Sequence, residues 1–200
     1  RETRVSMTTR FRFVPPAGTP VSLSDVASSI GTALVRRDTV EGFTADLCER
    51  VGVRHCEFVS TGRAALTLAL LALKELDGGK RKEVVIPSYT CFSVPSSVVK
   101  AGLRVRLVDI DPATLDFVPS SLNQIDGKRV LAVVATNLYG MPNDMAAIAQ
   151  ITKDRGIYLI DDAAQCLGGS IGGRPSGTWG DVGLYSFDKG KNVTSIDGGV

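Results

Sequence analysis

Two lysines lie one residue apart near the end of the sequence, in the stretch FDKGKN at 187–192. The stretch follows an apolar segment and contains a glycine, which is typical of a turn after a buried strand. An amine at such a strand end is partly desolvated and can form a Schiff base with a carbonyl group. Lys189 and Lys191 are therefore candidates for a reactive amine, and simple solvated charge is the alternative.

Two adjacent carboxylates, Asp161 and Asp162, end a second apolar segment, YLIDD. Neighbouring residues of an extended strand point to opposite faces of a sheet, so the two aspartates need not share a role. An aspartate at this position can bind a hard cation such as Mg²⁺, cap a following helix, or pair with a cationic ring nitrogen. Asp162 lies about one strand-helix-strand step before Lys191.

The stretch STGRAA places Ser60, Thr61 and Gly62 just before a helix-like segment. The free amides and the positive dipole end of a helix N-terminus favour a phosphate or another anion, although ordinary helix capping is the alternative. Together, an anion cradle, a strand-end carboxylate and a lysine describe a pyridoxal phosphate site. None of these three features would predict it alone.

Short apolar runs alternate with helix-like segments from Val51 onward, and six of these runs are predicted strands: CEFVS, EVVIP, RVRLVDI, VLAVVAT, IYLID and GLYSF. Val-, Ile- and Leu-rich strands separated by helices indicate a mostly parallel sheet between two helical layers, an α/β fold with αβα layers. Ligands of such folds bind beyond the carboxyl ends of the strands, where the candidate residues lie.

The predicted domain organisation is a helical N-terminal arm at 1–50 followed by one domain at 51–200. The arm contains two helix-like segments, the first capped by Ser24 or Asp25.

Composition narrows the function classes. A formal net charge of +2 is too small to indicate a nucleic-acid partner, and no apolar run reaches the roughly 18 residues of a membrane span. Four irregularly spaced cysteines and a single histidine, His55, argue against a zinc site, a disulfide scaffold or a Ser-His-Asp hydrolase. We therefore expect no metal, no nucleic acid and no membrane span.

The sequence resembles the DegT/DnrJ/EryC1/StrS family of sugar aminotransferases from about FVPPAG, which begins at position 13, to Val200. The resemblance is carried in order by VEGFTADLCERVGVRH, STGRAAL, VVIPSYT, AGLRVRLVDIDPATL, LYGMPNDM, IDDAAQ, GDVGLYSF and GKN. It implies the aspartate-aminotransferase-like fold of a fold-type I enzyme that depends on pyridoxal 5'-phosphate, represented here by its large domain. It also implies that the C-terminal small domain is absent from this chain.

The resemblance implies a role for individual residues. Lys191, which precedes Asn192, corresponds to the catalytic lysine that bonds to the cofactor, whereas Lys189 corresponds to a variable position. Asp162 corresponds to the partner of the pyridine nitrogen and Gln165 to the residue bonded to the ring hydroxyl. The phosphate is assigned to Ser186 and to the backbone amides around Gly62, Arg63 and Ala64.

Three positions depart from the family pattern. Arg63 stands where many relatives have threonine, which leaves open whether it meets phosphate or substrate. Cys91 replaces an aromatic residue that stacks on the cofactor ring, and Phe92 or Tyr89 is a neighbour that can compensate. Asn137 replaces a common histidine.

The resemblance implies transfer of an amino group, with glutamate as the donor, to a keto sugar, usually nucleotide-linked, in sugar or cell-envelope polysaccharide biosynthesis. It also implies a cytoplasmic homodimer with shared active sites. The alternatives are a pyridoxal phosphate-dependent lyase or dehydratase and a truncated, non-catalytic regulatory or binding relative. Because relatives are longer, we expect a chain that ends at Val200 to bind cofactor poorly and to turn over little.

Overall fold

The structure is a computed structural model that describes residues 11–12, 21–35, 39–195 and 197–200. The beginning of the resembling region, FVPPAG, lies outside the described residues. Strand β1 is the short segment Phe11–Arg12.

A five-stranded parallel sheet forms the centre of the described molecule. Its strands are β2 (Glu83–Pro87), β3 (Arg104–Val108), β4 (Val130–Thr136), β5 (Tyr158–Asp162) and β8 (Val182–Leu184). They lie in the order β3-β2-β4-β5-β8, with every neighbouring pair parallel. All residues of β2 and β4 are buried, as expected for strands covered on both faces.

Helices cover both faces of this sheet. Helix α3 (Gly62–Leu76) and helix α4 (Ser93–Lys100) contribute to the apolar cluster on one face. Helix α5 (Pro119–Leu122) and helix α6 (Met145–Asp154) contribute to the cluster on the other face. Leu66, Leu70 and Leu73 bury one face of α3 because residues three or four positions apart share a side of a helix. The predicted α/β fold with αβα layers is confirmed.

A second, three-stranded antiparallel sheet has the order β1-β6-β7, where β6 is Ser170–Ile171 and β7 is Arg174–Pro175. The short 3₁₀ helix η1 (Leu138–Gly140) follows β4. It contains Tyr139 at φ 54°, a left-handed conformation that aromatic residues rarely adopt.

The N-terminal arm contains helix α1 (Leu23–Val35) and helix α2 (Thr39–Val51), as the sequence indicates. Leu47 and Val51 of α2 are buried in a cluster with Tyr185 and Phe187, so α2 packs on the region after β8. Ser22 is the residue that caps α1, which corrects the choice of Ser24 or Asp25. The Ser22 backbone N–H donates to Asp25 Oδ2 at 2.8 Å, and the Asp25 N–H donates to Ser22 Oγ at 3.2 Å.

Two predicted strands differ from the structure. CEFVS is not a regular strand, because Val59 forms only an isolated antiparallel bridge with Gly199. In GLYSF, only Leu184 and the glycine before it belong to β8, and Ser186 forms a second isolated bridge with Gly199. Residues 184–187 of GLYSF are buried and CEFVS is only partly buried, whereas regular strand geometry depends on a partner along the whole length of the segment.

None of the helices in the described residues combines the length and the hydrophobicity that crossing a membrane requires.

Candidate active site

A cavity of about 470 Å³ lies beyond the carboxyl ends of β5 and β8, at the N-terminus of α3. Six of the predicted site residues line it: Gly62, Arg63, Cys91, Asp162, Ser186 and Lys191. The other two, Ala64 and Gln165, are outside its lining. A larger cavity of about 720 Å³ lies between 53–59 and 177–183, but it lacks a lysine beside a buried carboxylate. The chemistry therefore points to the smaller cavity.

The two adjacent aspartates have separate surroundings, as the strand geometry predicts. Asp161 Oδ1 accepts from Asn137 Nδ2 at 2.7 Å, and Asp161 Oδ2 accepts from the N–H groups of Gly177 at 2.7 Å and Trp179 at 3.1 Å. Both Asp161 oxygens are thus used, Oδ1 by the Asn137 side chain after β4 and Oδ2 by the turn before β8. Asp162 points to the opposite face, where it lines the cavity.

Asp162 retains unused hydrogen-bonding capacity. Its Oδ1 accepts from the Ala164 N–H at 3.0 Å, whereas Oδ2 has no donor within the described part of the chain. Burial raises the pKa of Asp162 to about 6, an effect opposed by the Ala164 hydrogen bond and by the positive charge of Lys191. The carboxyl group is therefore largely ionised at pH 7 and is suited to a cationic partner.

The alternatives for Asp162 find less support. Residues 163–169 form turns, so Asp162 does not cap a helix directly after β5. Among the residues that the structure describes, no group of three or more His, Cys, Asp or Glu side chains is arranged to hold a metal ion.

The two lysines of FDKGKN also have different positions. Lys191 is half-buried and lines the cavity with Asp162, and its N–H donates to the Asp188 carbonyl at 2.9 Å in a tight turn. Lys189 is exposed and lies outside the cavity lining. Two exposed carboxylates, Asp188 and Asp197, complete the charged lining. Lys191, and not Lys189, is therefore the lysine of this turn that faces the cavity.

The N-terminus of α3 presents free amides to the cavity. Thr61 caps the helix, since its Oγ1 accepts from the Ala64 N–H at 2.9 Å. The N–H groups of Gly62 and Arg63 have no acceptor among the described residues, and the helix dipole adds partial positive charge there. Two amides, rather than the three predicted, are therefore available to an anion.

Gly62 brings the helix against the end of β8. A Cβ atom at position 62 would lie 2.8 Å from Ser186 Cβ and 3.0 Å from Ser186 Oγ. Only glycine allows this approach without a shift of the backbone or of Ser186. The Ser186 side chain consequently lies beside the free amides of the helix.

Cys91 and Phe92 line the cavity on the α4 side. Phe92 is 71% exposed, and the Arg63 guanidinium lies over its ring at 5.3 Å from the centroid. Tyr89 is outside the lining, and its hydroxyl is 2.7 Å from the Tyr139 hydroxyl. Phe92 is therefore the aromatic neighbour of Cys91 that faces the cavity.

Gln165 is held by a backbone group that sequence reasoning missed. Its Oε1 accepts from the Tyr139 N–H at 3.0 Å. Because a backbone N–H can only donate, the facing atom must be the amide oxygen, which leaves the Gln165 NH₂ group as a donor. The sequence signal for this contact was the stretch LYG directly after an apolar strand, where the structure places Tyr139 in a left-handed conformation.

Asn137 and Asn143 form a buried network behind the site. Asn137 Oδ1 accepts from the Asn143 N–H at 2.9 Å, and Asn143 Nδ2 donates to the Thr136 carbonyl at 2.9 Å. Asn137, which stands in place of the common histidine, thereby orients Asp161 and is fully buried.

Comparison with known proteins places this geometry in context. The profile of the DegT/DnrJ/EryC1/StrS aminotransferase family matches residues 23–200. A GDP-perosamine synthase of Vibrio cholerae is 30% identical over 178 residues, which cover 89% of this chain and 47% of that protein. A UDP-N-acetyl-3-dehydro-alpha-D-glucosamine 3-aminotransferase of Acidithiobacillus ferrooxidans is 31% identical over 157 residues, which cover 78% of this chain and 42% of that protein.

Among solved structures, a GDP-4-keto-6-deoxymannose-3-dehydratase with a trapped PLP-glutamate geminal diamine is similar, with a TM-score of 0.81 and 25% identity. The match covers 94% of this chain and 50% of that chain. The chain spans about half the length of the curated relatives that it matches. On the strength of the family profile, the chain belongs to the DegT/DnrJ/EryC1/StrS aminotransferase family.

Proposed function

We propose that this chain forms the cofactor-binding part of a pyridoxal phosphate-dependent aminotransferase that transfers an amino group to a keto sugar. The observation that carries the proposal is the convergence of Lys191, Asp162 and Ser186 in one cavity with the free amides of α3. Membership of an aminotransferase family supports the reaction class.

The residues present fit this cofactor. A buried carboxylate suits a protonated pyridine nitrogen, and a serine hydroxyl beside two free amides suits a phosphate. When bound, the cofactor supplies an electron-accepting ring that stabilises negative charge on a substrate carbon. The donor positions and the charge therefore suit one ligand.

The groups that line the cavity have separate tasks in the proposed reaction. Lys191 Nζ would hold the cofactor covalently and would carry a proton at the substrate carbon. The Asp162 carboxylate would face the ring nitrogen and favour its protonated form. Ser186 and the Gly62 and Arg63 amides would hold the phosphate.

The remaining groups orient the ring. The Gln165 NH₂ group, whose direction the Tyr139 N–H fixes, would be the donor to the ring oxygen. Cys91 and Phe92 line the cavity and would lie beside the ring. A small thiol at this position leaves the ring less covered than a stacked aromatic residue would.

The proposed partners follow from the relatives. A nucleotide-linked keto sugar is the proposed acceptor, because one relative carries the name of a 3-aminotransferase acting on a UDP-linked dehydro sugar. Glutamate is the proposed donor, because it is trapped with the cofactor in a similar structure. We place the enzyme in the cytoplasm, where nucleotide sugars are substrates of cell-envelope polysaccharide biosynthesis, as a homodimer with shared active sites.

The second candidate is a dehydratase on a related sugar, which a similar solved structure favours. A basic lysine at position 191 argues for amino transfer, because the family resemblance associates dehydratases with histidine at this position. A truncated, non-catalytic regulatory or binding relative is the third reading, and the intact set of cofactor groups argues against it.

The test is Lys191→Ala, with Lys189→Ala as the matched control. Purified protein is incubated with pyridoxal phosphate and borohydride, and the covalent adduct is located by mass spectrometry. We expect an adduct on Lys191 in the wild type and in Lys189→Ala, and none in Lys191→Ala. An adduct that persists in Lys191→Ala would overturn the assignment.

Product analysis separates the candidate reactions. With glutamate and UDP- or GDP-linked keto sugars, an aminotransferase forms an amino sugar and 2-oxoglutarate. A deoxy sugar without nitrogen would instead identify the dehydratase.

A further inference from the structure

A cluster of arginines surrounds one carboxylate at the amino end of the sheet, opposite the candidate active site. Glu83, the first residue of β2, is only 9% exposed. Its oxygens lie 2.8 Å from Arg129 Nη2, 3.5 Å from Arg106 Nη1 and 3.7 Å from Arg104 Nη2. Three guanidinium groups thus approach a single negative charge, which leaves a local excess of two positive charges.

Most of the donors in this cluster are unused. Only Arg129 is close enough to Glu83 for a hydrogen bond. The guanidinium groups of Arg104 and Arg106 have no hydrogen-bond acceptor within the described residues. Like charges held this near to one another repel, and an additional anion would relieve that repulsion.

The local fold explains why the arginines gather here. Arg104 and Arg106 alternate with Val105 along β3, so they share the face that carries Val108. Val108 packs against the α5 region, but α5 has only four residues and leaves the start of the strand open. The side chains of Arg104 and Arg129 remain 68% and 63% exposed.

The arrangement forms a concave site. Glu83, Arg104, Arg106 and Arg129 line a cavity of about 410 Å³ together with Val105. Two exposed lysines, Lys82 and Lys128, flank the cluster along the chain. A strand of five residues is roughly 16 Å long, so this cavity is separate from the site beyond the carboxyl ends.

We propose that this arginine cluster, defined by Arg104, Arg106 and Arg129 around Glu83, binds the phosphate groups of a small anion such as a diphosphate. Each guanidinium group can donate two parallel hydrogen bonds to a pair of phosphate oxygens, and Glu83 holds the three guanidinium groups around one cavity. The inference does not depend on the proposed reaction.

A competing explanation is that the arginine cluster only prevents the edge strand of the sheet from pairing with other chains. Strand β3 is the last strand of the sheet, and charged side chains on edge strands prevent pairing with other chains. In that case the arginines need no ligand and anions bind them only as a diffuse cloud. The two explanations predict different responses to substitution.

The experiment is calorimetric titration of the cofactor-free protein with inorganic pyrophosphate. Any binding at the candidate cofactor phosphate site is common to all variants, because none of the substituted residues lines that cavity. We compare Arg104→Gln/Arg106→Gln with Arg50→Gln/Arg54→Gln, a control with the same loss of charge elsewhere on the surface. We expect wild-type affinity in the control and a loss of at least about tenfold in the cluster variant. Equal weakening in both variants, or no binding by the wild type, would overturn the proposal.

The substitution Glu83→Gln tests whether removal of the negative charge strengthens or weakens pyrophosphate binding. The glutamine amide oxygen can still accept from Arg129 and keep the cluster together, but the local excess rises to three positive charges. Pyrophosphate should therefore bind more tightly and raise the thermal midpoint more than in the wild type. An unchanged affinity in a folded Glu83→Gln protein would contradict the proposal.

Parallel titrations with inorganic phosphate and with ADP identify the source of the phosphate groups. Binding of ADP equal to that of pyrophosphate indicates a site that reads phosphates alone. Tighter binding of ADP indicates a nucleotide.

Discussion

The two sides of strand β5 carry the same side chain at adjacent positions, yet they differ in how completely it is bonded. On one side, three donors from Asn137, Gly177 and Trp179 use both oxygens of Asp161. On the other, Asp162 is buried beside a cavity with one oxygen unbonded within the described residues. The difference teaches that a buried group with spare bonding capacity beside a cavity marks a functional position, whereas a saturated one marks a structural position.

The largest expected effect is on catalysis at the Asp162 side. On the proposed function, we expect Asp162→Asn to lower the kcat/KM for amino transfer by about a thousandfold, since an amide cannot balance the charge of a protonated ring nitrogen. The measurement is steady-state kinetics with a keto sugar and glutamate. If Asp162→Asn keeps wild-type kcat/KM, Asp162 is not the ring partner.

The second effect is on stability at the Asp161 side. We expect Asp161→Ala to lower the free energy of unfolding by about 4 kcal/mol, because three N–H donors, two of them buried, lose their acceptor. Urea unfolding followed by circular dichroism measures this change. A loss below 1 kcal/mol would remove the distinction between the two sides.

The third effect is the pH dependence of stability in cofactor-free protein. The pKa of Asp162 is about 6 in the folded state against an ordinary value of 3.8, so the folded state binds more protons between these pH values. The contribution of Asp162 to stability is therefore fully present below pH 3.8 and is lost as the pH rises to about 6.

Asp162→Asn isolates this contribution. The variant should be more stable than the wild type at pH 7, by up to about 3 kcal/mol, and equal to it below pH 3.8. Urea unfolding across this range provides the comparison, and a variant that is less stable at pH 7 would contradict the expected sign.

The smallest effect concerns the approach of α3 to β8. We expect Gly62→Ala to lower the free energy of unfolding by about 1–3 kcal/mol, because the new methyl group meets Ser186 at 2.8 Å. Gly190→Ala is the matched control, since nothing lies within 4 Å of a Cβ atom there. Chemical unfolding of both variants, together with pyridoxal phosphate titration, should separate them; equal stability would show that Ser186 moves aside freely.

The sequence by itself determined the fold class and the neighbourhood of the candidate site. Val- and Ile-rich runs separated by helical segments predicted the parallel sheet, because strands buried on both faces admit few other residues. Loops at the carboxyl ends of parallel strands must share one edge of a sheet, so Gly62, Asp162 and Lys191 were predicted to meet there.

Only the tertiary structure decided which aromatic neighbour of Cys91 faces the cavity. Phe92 lines it, whereas the Tyr89 hydroxyl lies 2.7 Å from the Tyr139 hydroxyl, so the direction of each side chain depends on packing from a distant segment. The Tyr139 amide that orients Gln165 and the cluster around Glu83 join residues far apart in the chain. Local patterns predict what an element is, whereas contacts across elements decide which atoms are left free to react.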